Sequence, residues 1–540
     1  MTGHTESSHT SSIARSAGTI SFAVLVSRLL GLVREQVFAG FFGAGYAYDA
    51  FVVAFRIPNL LRDLFAEGAL SAAFITVFTD YRNKQGSGPT WKLANNVIAA
   101  LTVLVGGITI LGMFFSKEIV SLMSPDFSLV PGKHELTALM TSIMFPFLLL
   151  VSLSAIAMGM LNSLNKFFIP SMASSFFNLG SILSGLLFAY CFSLLNREPI
   201  IGMAMGTLVG GLLQIAIQLP ELRNQGFAFS WRLDLRNEGL RRIMKLMLPA
   251  VIGLSATQIN LFVNTFFASS CVEGSVSWLN YAFRLIFFPI GMVGVSLSMA
   301  TLPVVSAQAS NGNIKELKGA YVSSSVLSLL LTVPASAGLI FLAQPIVSII
   351  FEHGRFNAHD TLMTAQALSF YSAGLFAYAA LKIIVPVFYA LNRTRYPVTG
   401  SFLTVLLNIV FVILLLEPLQ HCAIALSTSL CVLINFLFLS VALYRAVEGY
   451  RVFYLLQSFL KIAFISIAMG LGAQWLNKTA ALYLPMNILG ELCALLFTII
   501  SSIIFYFTII YFINIKEVDY LVPKVMARIK TLANSIYKNN

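Results

Sequence analysis

The chain consists mainly of long apolar runs, separated by short breaks that carry charged residues, Pro, Gly or Asn. A helix of about 20 apolar residues is the length that crosses the hydrocarbon core of a bilayer. Of 540 residues, 58% are hydrophobic and only 10% are charged, which is too little charge for the surface of a soluble chain of this size. The sequence therefore predicts a polytopic membrane protein.

The apolar runs indicate about fourteen spans, the first near 18–42 and the last near 484–514. Runs of this length exclude the roughly 10-residue alternation of barrel strands, so the predicted fold class is all-α. Ala54-Phe55-Arg56 in span 2 recurs as Ala282-Phe283-Arg284 in span 8, which predicts two pseudo-symmetric six-helix lobes followed by two C-terminal helices. The predicted regions are an N-terminal tail (1–17), an N-lobe of spans 1–6 (18–219), a basic connector (220–247), a C-lobe of spans 7–12 (248–444), spans 13 and 14 (445–515) and a basic tail (516–540).

Basic residues are distributed unequally between the two sets of connectors. One set, with both termini, holds 22 Lys and Arg and the other holds five, so the positive-inside rule predicts that both termini are cytoplasmic. Residues 221–247 and the tail are expected to be amphipathic helices on the cytoplasmic leaflet. Because the basic residues lie mostly in connectors, nucleic acid is not an expected partner.

The sequence carries no enzyme motif, and no catalytic residue, metal or cofactor is expected.

Seven basic residues remain inside the predicted spans: Arg28, Arg34, Arg56, Arg62, Arg284, Lys382 and Lys461. A central arginine costs at least about 2.5 kcal/mol on insertion scales, so such a group indicates a functional polar interior. Guanidinium forks bind phosphate oxygens bidentately, which predicts an anionic, phosphate-bearing ligand. The alternative is that these arginines form internal ion pairs that only hold helices together.

Span 2 adds acidic residues to this group, namely Asp49, Asp63 and Glu67. Spacings of seven place Asp49, Arg56 and Asp63 on one helical stripe, with Asn59 one turn from Arg56, and this stripe is predicted to face water or substrate. The prolines near the arginines are expected to interrupt their helices and allow a bend during alternating access. These prolines are Pro58 and Pro289.

The segment Ser27-Arg28-Leu29-Leu30-Gly31-Leu32-Val33-Arg34 resembles the start of the MurJ (MviN) lipid II flippases, members of the multidrug/oligosaccharidyl-lipid/polysaccharide exporter superfamily. The resemblance covers nearly the whole chain. It continues through Gly43-Ala44-Gly45, Asp49-Ala50-Phe51, Pro58-Asn59-Leu60-Leu61-Arg62, Phe65-Ala66-Glu67-Gly68-Ala69, Gly274-Ser275-Val276-Ser277-Trp278 and Phe351-Glu352-His353-Gly354-Arg355-Phe356.

This resemblance implies a flippase that moves lipid II, an undecaprenyl-diphosphate-linked disaccharide-pentapeptide, to the outer leaflet of the bacterial inner membrane for peptidoglycan and cell-wall synthesis. It also implies that membrane lipids and the cell-wall synthesis or division machinery are partners. The substrate-binding residues that it implies are Arg28, Arg34, Arg56, Asn59, Ser277 and Arg284. The gating or structural residues are Asp49, which matches an acid near the outer gate, with Pro58, Arg62, Glu67 and Pro289. Phe283 and Phe287 stand beside Arg284 where some relatives carry acidic residues.

The sequence leaves two alternatives to flipping. A drug/cation antiporter of the same superfamily should carry acidic residues deep in one lobe, and the excess of arginines argues against it. A membrane scaffold that transports nothing would not need arginines inside the membrane. Span 14 is almost wholly Phe, Tyr, Ile and Leu near its end, which fits either lipid-facing packing or, as the family implies for spans 13 and 14, a groove for an isoprenoid tail.

The charge bias makes a testable prediction about topology. Cysteines introduced at Gly45 and Glu273, in a protein without its native cysteines, should react with an impermeant thiol reagent added outside the cell. Cysteines at Gln85, Gly312 and Asn540 should stay unlabelled until the membrane is permeabilised, because the positive-inside rule places these connectors in the cytoplasm. Outside labelling at Gln85 would reverse the predicted orientation.

Overall fold

A computed structural model describes residues 3–63, 69–485, 487–513 and 515–519, and it is helical almost throughout. The first ten helices are α1 (Gly3–Phe42), α2 (Tyr46–Arg62), α3 (Ala69–Gln85), α4 (Ser87–Phe114), α5 (Ser116–Met123), α6 (Lys133–Ser163), α7 (Phe168–Leu194), α8 (Ile200–Ala216), α9 (Leu219–Asn224) and α10 (Glu238–Ser269). The others are α11 (Ser275–Pro289), α12 (Ser296–Ser310), α13 (Ile314–Phe341), α14 (Ala343–Phe351), α15 (Ala358–Ala373), α16 (Leu375–Ala390), α17 (Arg395–Leu419), α18 (His421–Ala446), α19 (Val452–Tyr483) and α20 (Ile488–Tyr511).

The helices have the length and composition of membrane spans. Within the described residues, ten helical stretches are long and apolar enough to cross a bilayer, and two bent helix pairs raise the number to twelve. The predicted all-α polytopic fold is therefore confirmed. The predicted number of fourteen spans stays a prediction. The first two predicted spans correspond to α1 and to α2 with α3, and residues 64–68 between α2 and α3 lie outside the described residues.

The chain forms two compact units, and the first comprises residues 1–277 and 353–356. In this unit α7 and α8 pack with almost no space between their backbones. A Cβ atom at Gly202 would lie 2.1 Å from the Ala189 amide nitrogen, and one at Gly206 would lie 2.5 Å from the Gly185 Cα. Glycines four residues apart on one helix face allow this approach, as is common where apolar helices associate in lipid.

The second unit comprises residues 278–352 and 357–540. Pro289 ends α11, and the chain continues as a π-helical segment over Ile290–Val295 before α12 begins. This break fits the predicted interruption at Pro289. Helix α13 packs against α19 around a core that includes Val326, Ile462 and Tyr506. Since α10 packs on α3 and α4 in the first unit, the units do not divide where the sequence divides the lobes, and the two-lobe repeat stays a prediction.

The connector between α8 and α10 differs from the prediction. The expected amphipathic helix over 221–247 is wrong, since residues 225–237 are not helical. The buried Asn96 amide accepts a hydrogen bond from the Asp234 amide at 2.6 Å and donates one to its carbonyl at 2.8 Å. Asn95 holds the Ala228 carbonyl and the Ser230 amide in the same way. These side chains satisfy backbone groups that a helix would have paired internally. Residues 520–540 of the basic tail lie outside the described residues.

Candidate functional site

The Asp49 carboxylate, near the start of α2, is a buried charge with several hydrogen-bond donors around it. Asp49 is 2% exposed and accepts four hydrogen bonds. Lys133 Nζ donates at 3.0 Å, the Gly274 amide at 2.9 Å, and Ser277 donates both its amide at 2.9 Å and its hydroxyl at 2.6 Å. We call these four residues the Asp49 clasp.

Lys133, at the first position of α6, is as buried as Asp49 and also lies 4.4 Å from the centroid of the Phe127 ring. A buried ammonium is stable only when it is paired, and the carboxylate together with the ring face supplies that pairing. In the sequence, Lys133 is one of the five basic residues in the less basic set of connectors, and its pairing with Asp49 was not predicted. Asp49 and Lys133 are 84 residues apart in the chain, so no local spacing could have revealed the pair.

Two further contacts lie within the first unit. The Tyr46 amide donates to Glu273 Oε1 at 2.9 Å, and the Arg355 amide donates to the Gly40 carbonyl at 2.9 Å. At Gly354, which has a φ of +62°, an added Cβ would lie 2.1 Å from the same carbonyl, so only glycine fits there. The end of α1 and the start of α2 are therefore each fixed by a residue from a distant loop.

These contacts correct the predicted stripe on span 2. Asp49 points into protein and not toward water or substrate, because four donors surround it. Ser277, which the family resemblance assigned to substrate binding, is fully buried, and its hydroxyl donates to Asp49. Pro58 lies inside α2, which continues to Arg62, so the predicted interruption at Pro58 is also wrong. A proline removes only one helical hydrogen bond, and here the flanking bonds are sufficient to maintain the helix.

Arg34 is a buried member of the predicted arginine group. Its Nη2 lies 3.1 Å from Glu35 Oε1, and its guanidinium lies 5.5 Å from the centroid of the Phe177 ring. Glu35 also accepts a hydrogen bond from the Tyr48 hydroxyl at 2.6 Å. The Arg34 Nε is buried without a hydrogen-bond partner among the described residues. The internal ion pair that the sequence left as an alternative therefore occurs at Arg34, and one donor of its fork is unsatisfied.

The other predicted residues have varied surroundings. Arg28, Arg56 and Asn59 are half-buried in the first unit. Arg62 forms an ion pair with Asp63 at 2.9 Å. Arg284 is exposed on α11 in the second unit. Glu67 lies outside the described residues. Of the four arginines that the resemblance assigns to substrate binding, Arg28, Arg34 and Arg56 therefore lie in one unit and Arg284 lies in the other.

Beside Arg284, the Phe283 and Phe287 rings meet edge to face with centroids 4.7 Å apart. The departure from acidic residues at these positions therefore produces an aromatic pair next to the arginine.

Comparison with known proteins identifies the family of the chain. Residues 38–493 match the family model described as lipid II flippase MurJ. The chain belongs to the MurJ family. A probable lipid II flippase MurJ of Buchnera aphidicola subsp. Acyrthosiphon pisum is 38% identical over 79% of this chain and 83% of its own length. The lipid II flippase MurJ of Burkholderia cenocepacia is 34% identical over 79% of this chain and 82% of its own length.

Solved structures agree with this assignment. A lipid II flippase MurJ in an inward closed conformation has a TM-score of 0.74 and 27% identity, covering 91% of this chain and 98% of the other. An inward-facing multidrug transporter of the MATE family has a TM-score of 0.68 at 13% identity, covering 78% of this chain and 95% of the other, and this likeness concerns the fold alone. The MurJ family consists of transporters, so the chain is not expected to catalyse a chemical reaction.

The clasp makes a prediction about stability. Asp49→Asn or Lys133→Gln should each lower the free energy of unfolding by about 3 kcal/mol, because each leaves the partner charge buried without a counter-charge. The double variant should lose little more than either single one, because the uncompensated charge is then absent. Unfolding in a detergent titration, analysed as a double-mutant cycle, measures this coupling.

The matched control for this cycle is the Lys84–Asp80 pair, which has the same chemistry and a Lys84 side chain that is 72% exposed. Lys84→Gln should change stability by less than about 1 kcal/mol. Strictly additive losses at Asp49 and Lys133 would contradict the account of the clasp.

Proposed function

We propose that this protein moves lipid II from the inner to the outer leaflet of the bacterial cytoplasmic membrane by alternating access, for peptidoglycan synthesis. Membership of the MurJ family supports the substrate, and the all-helical membrane fold supports transport. The observation that carries the proposal is the presence of three arginines, Arg28, Arg34 and Arg56, in helices of one compact unit. No observation favours the drug/cation antiporter, whose cationic substrates these arginines would repel.

The proposed ligand of these arginines is the diphosphate of lipid II. Arg34 supports this role because its guanidinium already holds one anion, Glu35, and keeps a donor that no described residue uses. A diphosphate offers more acceptor oxygens than one carboxylate, so it can replace Glu35 and also satisfy the free Nε. Arg28, Arg56 and Asn59 are proposed as further contacts of the diphosphate, and Arg284 on α11 is proposed as another.

We assign Ser277 and Asp49 to the outer gate instead of the substrate site. The Ser277 hydroxyl proton is already donated to Asp49, which supports a structural role in the closed gate. Opening the gate requires the carboxylate to lose several donors, and water must then replace them. When several of these donors lie on segments that move together, the carboxylate loses them in one step. A gate of this kind has two distinct states, closed and open. Pro58, Arg62, Glu67 and Pro289 keep their proposed gating or structural roles.

Further parts of the proposal concern the surroundings of the protein. Both termini are proposed to be cytoplasmic, on the charge bias of the connectors. The exposed face of α20, with Phe497, Ile500 and Ile504, is proposed to contact lipid and to guide the isoprenoid tail. The cell-wall synthesis or division machinery is the proposed consumer of the flipped product.

Arginine variants test the binding site. Arg28→Ala, Arg34→Ala, Arg56→Ala and Arg284→Ala should each lower lipid II transport in proteoliposomes about tenfold or more, because each removes a charge-assisted hydrogen bond to the diphosphate. The corresponding Arg→Lys variants should recover only part of the rate, since lysine keeps the charge and loses the fork. Protein recovered in the proteoliposome membrane measures insertion.

Arg197→Ala is the matched control, because Arg197 is an exposed arginine in the turn between α7 and α8. Its transport rate should equal that of the wild type. Wild-type rates in all four Arg→Ala variants would contradict the assigned site.

A further inference from the structure

A cavity of about 460 Å³ lies in the second unit, and none of the arginines of the proposed substrate site lines it. Four parts of the unit line it: the α13–α14 junction, α15, α19 and α20. We call it the α19–α20 cavity. It has the size of a small-ligand site, and none of its lining residues belongs to the proposed flippase machinery.

The lining of this cavity is divided between polar and apolar groups. Its polar side chains include three glutamines, one asparagine and two opposite charges: Gln344, Gln366, Gln474, Asn477, Lys478 and Glu491. Apolar side chains such as Ile340, Phe341 and Leu362 form the remainder. Lipid chains cannot satisfy amides and charges, so this composition favours an amphiphilic occupant over a purely apolar one.

The two charges lie near the joined ends of α19 and α20. Lys478 is five residues before the end of α19 at Tyr483, and Glu491 is three residues after the start of α20 at Ile488. At a rise of about 1.5 Å per residue, both lie within about 8 Å of the helix ends. Phospholipid headgroups flank the hydrocarbon core at the ends of membrane-spanning helices, so a headgroup is expected to reach both charges.

The charges are also available to a ligand. Within the described ranges, neither the Lys478 ammonium nor the Glu491 carboxylate forms an ion pair with another side chain. In addition, the side-chain oxygen of Asn477 is shielded from solvent and has no hydrogen-bond partner in that part of the chain. A headgroup with both a phosphate and a hydrogen-bond-donating ammonium can serve all three groups.

We propose that the α19–α20 cavity binds a zwitterionic phospholipid whose headgroup carries a primary ammonium, with the ammonium at Glu491 and the phosphate at Lys478. The exposed apolar side chains Ile467, Leu471 and Trp475 follow Lys478 along one face of α19 and are available to the acyl chains. Phosphatidylethanolamine has the required groups. Phosphatidylcholine has no N–H donor, and phosphatidylglycerol has no cation.

Native mass spectrometry of the purified full chain tests this site, with phosphatidylethanolamine, phosphatidylcholine and phosphatidylglycerol of identical acyl chains as probes. We expect about tenfold stronger retention of phosphatidylethanolamine, the difference that one or more charge-assisted hydrogen bonds supply. Glu491→Gln should reduce its retention to the level of phosphatidylcholine. Lys478→Gln should lower the retention of phosphatidylethanolamine and phosphatidylglycerol together.

Lys117→Gln is the control, because Lys117 is an exposed lysine of the first unit and its loss should leave retention unchanged. Equal retention of the three lipids by the wild type, or wild-type retention by both cavity variants, would overturn the proposal. The measurement contains no lipid II, so a failure here leaves the proposed flippase function untouched.

Discussion

The buried Asp49 carboxylate holds several segments of the first unit in place. An ionised carboxylate out of water is tolerated only when donors replace its hydration. Here the donors come from three segments that are distant in the chain: the start of α6, the loop before α11 and the first turn of α11. Each segment is held in position because moving it would leave the carboxylate short of a donor.

The adjacent residue extends this constraint to α1. Tyr48 precedes Asp49 in α2, and its hydroxyl donates to Glu35, which in turn pairs with Arg34. The first turn of α2 thus connects Asp49, a proposed gate residue, with Arg34, a proposed substrate contact. The connection runs through hydrogen bonds between buried groups. Because buried networks of this kind are costly when only partly satisfied, occupation of Arg34 by a different anion is expected to affect the position of Tyr48 and, through it, α2.

The sequence was sufficient for those features that follow from local pattern. Apolar runs predicted the all-α membrane fold, and the Ser27–Arg34 segment indicated the family. The sequence alone could not reveal features that depend on partners distant in the chain. Lys133 is separated from Asp49 by 84 residues, and nothing in its own segment distinguishes it from a connector charge. The helical propensity expected for 221–247 was overridden by Asn95 and Asn96, whose amides pair with the connector backbone.

Lipid II transport is tested most directly in cells, by depleting this protein from its host and measuring which leaflet labelled lipid II occupies. We predict that lipid II accumulates in the inner leaflet after depletion, and that renewed production of the wild-type protein restores it to the outer leaflet. A variant with Arg28, Arg34 and Arg56 all replaced by Ala should reach the membrane without restoring it. An unchanged amount of lipid II in the outer leaflet after depletion, with no other flippase produced, would contradict the proposed function.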